Sequence, residues 1–133
     1  VFRCYQGRLF QAQRYFIDDQ EQFYVVAFCM PRFQDLSFDE KLVTVFHELF
    51  HISPRFDGDL RRHNSRYQYH THSQKGYDAH MEMLVRGYLA NHPNPAVFMF
   101  LHRSFAQLWA EYGGVYALKI PRPKMIPVAD YPA

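Results

Sequence analysis

The stretch from Ser37 to His51, SFDEKLVTVFHELFH, decides how this chain is read. Ser37 with Glu40 three residues later is a capping box, and Asp39 stands where the helix dipole favours negative charge. The spacing predicts a helix from about Phe38. At about 100° per residue, Leu42, Val43, Val45, Phe46, Leu49 and Phe50 form one broad apolar arc, with His47 and His51 about 40° apart beside it. Glu48 lies about 60° further round from His51 on the same side. Pro54 disfavours helical geometry in the residue before it, so the helix has to stop by Ser53.

His47-Glu48-x-x-His51 is an H-E-x-x-H pattern, in which two imidazoles one turn apart reach one zinc ion and the carboxylate between them serves as general base. The chemistry expected is peptide-bond hydrolysis by a zinc-activated water, with Glu48 taking and returning the proton. A hydrolytic zinc has three protein ligands and an open position, so two histidines are incomplete. His70 is the leading third ligand, because it lies just before a predicted helix that can hold it; His72, His63 and Glu82 are alternatives. Tyr67, Tyr69, Tyr77, Arg66 and His72 are candidates for an oxyanion donor, and the sequence does not choose among them. Asp57 and Asp59 are read first as turn-forming residues, since Asp-Gly is a turn signal, and second as partners that orient a ligand histidine.

The chain has 133 residues, 48% of them hydrophobic and 18% aromatic, enough for one domain, 1–133, with one core and no need of disulfide staples. The formal net charge of +2 gives little support to a general nucleic-acid binder. No apolar run approaches the ~20 residues of a membrane span, so no membrane association is expected. A cytoplasmic setting is the default, although the chain opens on Val1 rather than Met, which leaves room for an upstream segment. Cys4 and Cys29 stand in apolar, strand-like surroundings and are expected to be reduced core residues, with a disulfide between them as the alternative.

On the N-terminal side of the helix, Arg8 to Ile17 and Phe23 to Met30 read as strands joined by a polar loop, 18–22, the second strand buried on both faces as a floor for the helix. On its C-terminal side, 53–73 reads as an ordered functional loop with four arginines and three histidines. Two helices are expected next: Gln74 to Asn91, with an apolar stripe of Tyr77, Met81, Leu84, Val85, Tyr88 and Leu89, and Pro95 to Tyr112, with a stripe of Phe98, Leu101, Phe105, Leu108 and Tyr112, stopped by Gly113-Gly114. Val115 to Ile120 is read as a last strand, and the proline-rich remainder from about 121 as an extended tail on the surface or against a partner. The fold class is α+β: a small N-terminal sheet packed on the motif helix and two further helices.

The run HELFHISPRFDGDLRRH, followed by HTHSQKGYD, resembles a group of predicted bacterial and phage metallopeptidases. The elements that carry the likeness are His47 to His51, Phe56-Asp57-Gly58, Arg61-Arg62, His70, Ser73 and Tyr77-Asp78, within about residues 40 to 90. The resemblance implies a zincin fold and peptidase chemistry, with His70 matching the later histidine. His70 also follows His51 by the separation at which thermolysin-like zincins often place a glutamate. A looser likeness to SprT-type proteases, which act on DNA-associated proteins, rests on the compact helix and later histidine. The histidine-glycine pair of that group is missing, because Thr71 follows His70.

Other readings make different demands. Eight histidines in the chain make a bare H-E-x-x-H a modest signal, and it is the capping box, the apolar arc and the histidine-rich loop that strengthen it. His80, His92 and His102 lack such a setting and are expected to be structural. A zincin-like metal-binding module without proteolysis would bind a protein or nucleic acid instead of cleaving a peptide or protein substrate. A nucleic-acid-associated protein would set Arg55, Arg61, Arg62 and Arg66 on phosphates. A metal-dependent RNA hydrolase is hinted at by Gly76-Tyr77-Asp78-x-His80, but there the histidine pair should stand close by.

Overall fold

In the computed structural model, residues 2–61, 74–116 and 121–128 are described. They form a small α+β domain of three α-helices and two antiparallel sheets. The first helix, α1, spans Phe38–Phe50, and its capping box is complete: the Ser37 hydroxyl accepts from the Glu40 N–H, and the Glu40 carboxylate accepts from the Ser37 N–H at 2.9 Å. The Ser37 hydroxyl also donates to that carboxylate at 2.7 Å, and this bond first, with the Ser37 N–H second, holds the Glu40 carboxyl below its ordinary range. The helix ends where Pro54 requires, with His51 as its C-cap.

The strands differ from their expected bounds. β1 (Phe2–Tyr5) and β2 (Arg8–Ala12) form a hairpin through Gln6-Gly7, both at positive φ, the backbone that a two-residue turn between twisted strands needs. β3 (Tyr15–Ile17) and β4 (Gln20–Gln22) form a second hairpin through Asp18-Asp19, also both at positive φ. What read as a polar loop, 18–22, is therefore a tight turn plus a strand. Because β4 takes up the pairing of β3, the run from Phe23 to Met30 is left without a ladder and forms no strand. Nor is it buried on both faces: Val25, Val26 and Met30 are exposed. Side chains fix it instead, through Phe28 stacked on Phe33 at 4.4 Å and through Tyr24. Cys4 and Cys29 form no disulfide, as expected, but both are exposed rather than in the core.

The proline-rich segment corrects a second expectation. Residues 115 and 116 are not in a strand, and 117–120 lie outside the described residues. Among the described residues the last strand is β5 (Met125–Pro127), an extended and exposed part of the proline-rich segment that pairs antiparallel with β2. The Tyr15 hydroxyl donates to the Pro121 carbonyl at 2.6 Å and secures the approach. Pro127 sits at the end of an edge strand, where proline's missing donor costs little.

Helix α2 (Gln74–Ala90) matches its predicted stripe: Met81 is completely buried, Val85 nearly so, and Tyr77, Leu84, Tyr88 and Leu89 are half-buried. The single helix expected over Pro95 to Tyr112 is three pieces: 3₁₀ turns at Pro95–Val97 and Met99–His102, then α3 (Phe105–Tyr112). Ser104 starts α3 with its own capping box to Gln107, and Asp35 accepts from the Phe105 N–H, so local capping overrides the continuous apolar stripe. Gly113 ends α3 in the left-handed conformation, as its sequence position suggested.

The core is built by the helices. Phe33, Leu42, Val85 and Leu101 are buried at its centre, and Phe28, Phe38, Val43, Val45, Phe46, Leu89 and Phe98 pack around them. Among the described residues none of these comes from β1 to β5, so the described strand residues do not form the expected floor beneath α1. The buried Lys41 ammonium reaches across instead, donating to the carbonyls of Leu101 and Arg103 at 2.8 Å each. Gln34, also buried, donates to Phe100 and Arg103 carbonyls.

Two outcomes are expected. Lys41→Met leaves the Leu101 carbonyl buried without this donor and costs about 1–3 kcal/mol in denaturant unfolding. Ser37→Ala costs about 1 kcal/mol at neutral pH. Because the Glu40 carboxyl is lowered in the folded state, its stabilisation is present above the ordinary carboxylate range and is lost as pH falls through the folded value. The Ser37→Ala difference in thermal midpoint should therefore shrink towards pH 3.

Candidate metal centre

His47, Glu48 and His51 stand on the last turn of α1, all half-buried, with His51 at the C-cap. Leu42, Val43, Val45 and Phe46 of the apolar arc turn into the core, whereas Leu49 is exposed, and His47 faces Tyr77 near the start of α2. The two imidazoles are 5.0 Å apart between ring centroids, with planes at 70°. Two imidazoles sharing one zinc at 2.0–2.1 Å and the tetrahedral angle have centroids about 5 Å apart. The separation is compatible with one shared ion.

Tyr77, in the first turns of α2, lies against the same pair. Its ring centroid is 4.8 Å from that of His47 and 6.1 Å from that of Phe50. The Tyr77 hydroxyl is buried and has no hydrogen-bond partner among the described residues. Burial first, and the Glu48 carboxylate second, push the phenol above its ordinary value, against an opposing pull from Arg61. A buried hydroxyl without a partner loses about 1–3 kcal/mol of hydration, so its position beside a histidine pair and a carboxylate calls for an explanation. Being protonated throughout the neutral range, it is a ready donor.

Beyond α1 the chain closes a tight turn and returns. Ile52 and Leu60 form an isolated antiparallel bridge, the Ser53 N–H donates to the Asp59 carbonyl, and Phe56 and Gly58 both take positive φ. Asp57 accepts from the Asp59 N–H at 3.2 Å and pairs with Arg55 at 3.1 Å. The first of these, with a Ser53 hydrogen bond next, lowers its carboxyl. Asp57 is thus a turn residue, as favoured from the sequence. The Tyr24 hydroxyl donates to the Asp59 carbonyl at 2.7 Å and accepts from the Gly58 N–H at 3.0 Å, a clamp that nothing in the local pattern of 23–30 announced. Arg61 arrives back at the end of α1, its Nε donating to the Phe50 carbonyl at 2.7 Å and its guanidinium 4.2 Å over the Phe50 ring.

His63, His70 and His72, and with them Arg62, Arg66, Tyr67, Tyr69 and Ser73, lie outside the described residues. Glu82 is exposed on α2, and among the described residues no group of three or more His, Cys, Asp or Glu side chains could hold a metal ion, so Glu82 does not complete the pair. Of the candidate oxyanion donors only Tyr77 is described, and it is at the site. His102 stacks on Phe38 at 3.8 Å, and His92 takes a positive φ just after α2, both structural placements. His80 packs its ring 5.4 Å from Phe50 and is exposed. No described helix is long and apolar enough to cross a membrane. Comparison of the chain with protein-family models, curated proteins and solved structures finds no match.

The unpartnered hydroxyl gives a sharp expectation for Tyr77→Phe. Stability in the metal-free protein should hold or rise slightly, because no hydrogen bond is lost. The raised phenol value means that wild type loses stability as pH climbs from 10.0 through the folded value, whereas the variant does not lose this part. Thermal midpoints above pH 10 should fall less steeply for the variant, and a clear loss of stability at neutral pH would contradict the assignment.

Proposed function

We propose that the protein is a zinc-dependent metallopeptidase with a zincin-type site, in which His47 and His51 hold the ion together with His70 and Glu48 is the general base. The observation that carries the reading is the imidazole pair at zinc-sharing separation on one helix, with a carboxylate between the two residues. The buried, unpartnered Tyr77 hydroxyl beside His47 supports it, because a polar group without a partner is expected where a substrate atom is to be bound.

A zinc ion bound there would supply Lewis acidity, the property that makes water nucleophilic near neutral pH and polarises a carbonyl. The protein supplies the proton chemistry. Glu48 takes the proton of the attacking water and passes it to the leaving amine, so that the nitrogen departs neutral. The Tyr77 hydroxyl donates to the substrate carbonyl oxygen as that atom gains negative charge, and the low local dielectric strengthens the bond at that moment. Phe50, with the exposed His80 ring against it, offers an aromatic surface beside the pair for side chains of a peptide or protein substrate.

Kinetics on a peptide library separate these roles. Glu48→Gln should abolish hydrolysis while zinc is retained; loss of zinc would mean that Glu48 acts chiefly on the metal site and not as base. Tyr77→Phe should lower kcat by about 10²-fold with little change in KM, since the hydroxyl is used mainly as charge develops.

A further inference from the structure

His51 occupies the weakest position on α1. A helix leaves its last carbonyls without intrahelical donors and frays from that end. His47 stands inside the final turn, but His51 is the C-cap itself, its N–H donating to the Glu48 carbonyl at 3.2 Å and the Ile52 N–H to the Leu49 carbonyl at 3.1 Å. A ligand on a fraying cap would spend its time in many orientations, each of which lowers affinity for an ion that demands fixed angles.

We propose that Arg61 is a positioning residue for His51, acting by capping the C-terminal end of α1. This rests on reading His47 and His51 as metal ligands. Arg61 meets both exposed carbonyls: its Nε donates to Phe50 at 2.7 Å and its backbone N–H to His51 at 2.8 Å. The guanidinium carbon lies 4.2 Å over the Phe50 ring centroid, so the ring is packed as well as the backbone bonded. The side chain of Arg61 is held to this place by the closed turn. The turn's neck is the bridge between Ile52 and Leu60, and its tip is gripped by Tyr24, whose hydroxyl joins Gly58 and Asp59. Phe56 packs at 5.9 Å from Phe23 and 5.1 Å from Tyr24, securing the same tip. Tyr24 and Arg61 are the two ends of one device. Lysine is no substitute, because only a planar guanidinium can lie flat on a ring and donate in its own plane at once.

The test is zinc affinity of the full chain by competition with a chromophoric chelator, well below the thermal midpoint of every variant. Arg61→Gln and Arg61→Lys should each weaken zinc binding about 10–100-fold, the range for groups that orient a ligand from outside the coordination sphere. Tyr24→Phe should weaken it less, and the double variant Tyr24→Phe/Arg61→Gln should lose less than the product of the two, because both act through one unit. The visible spectrum of the cobalt form should also change in Arg61→Gln, which a merely structural role would not cause. Wild-type affinity and spectrum in both Arg61 variants, with only a lowered thermal midpoint, would overturn the proposal and leave the metal site intact. Failure of wild type to bind zinc at all would overturn the metal reading itself and the inference with it.

Discussion

The buried ammonium of Lys41 ties the molecule together. It leaves α1 from the side that faces the chain returning after α2 and satisfies two carbonyls there, those of Leu101 and Arg103. Burial lowers its pKa, and the Asp35 carboxylate partly offsets that. Charged groups are taken out of water only where hydrogen bonds replace the lost hydration, and here the replacements are backbone atoms of a segment too short to be a stable helix by itself. The same segment is held by Gln34 and delivers Leu101 to the core. The N-terminal half of α1 is therefore fixed by its capping box, by apolar packing and by this bond, which leaves its C-terminal half to carry the histidines.

That division explains how a site is built with little help from the sheets. The pair His47 and His51 needs a rigid helix, a second wall and a secured end. Leu42 and Val85 lock α1 to α2, α2 brings Tyr77 to the pair, and the turn held by Tyr24 returns Arg61 to the helix terminus. The β1, β2 and β5 ladder and the β3 and β4 hairpin contribute no residue to the core cluster.

How much of this was legible follows from the range of the interactions. α1, its cap, its end and the stripe of α2 are local patterns, and the structure repeats them. The tight hairpin at Asp18-Asp19 was missed because aspartate pairs are weaker signals for positive φ than Asn-Gly or Asp-Gly. The run Phe23 to Met30 looked like a buried strand because apolar continuity does not reveal whether a partner strand exists. The break at Ser104 was written in the sequence as a second capping box, with Gln107 three residues on, and an apolar stripe read straight through it. The burial of Lys41 and the reach of Tyr24 to Gly58 depend on contacts between distant residues, for which the sequence carries no local mark. At the site, the histidine pair was legible from its four-residue spacing, whereas the approach of Tyr77 to His47 required α2 to be docked on α1.

Metal content tests the central claim most directly. Elemental mass spectrometry on protein purified without added metal and without a histidine tag should find about one zinc per chain in wild type, as one tetrahedral site requires, and loss of that zinc in His47→Ala and in His70→Ala. Wild-type protein that carries no zinc, even after zinc is supplied, would contradict the account.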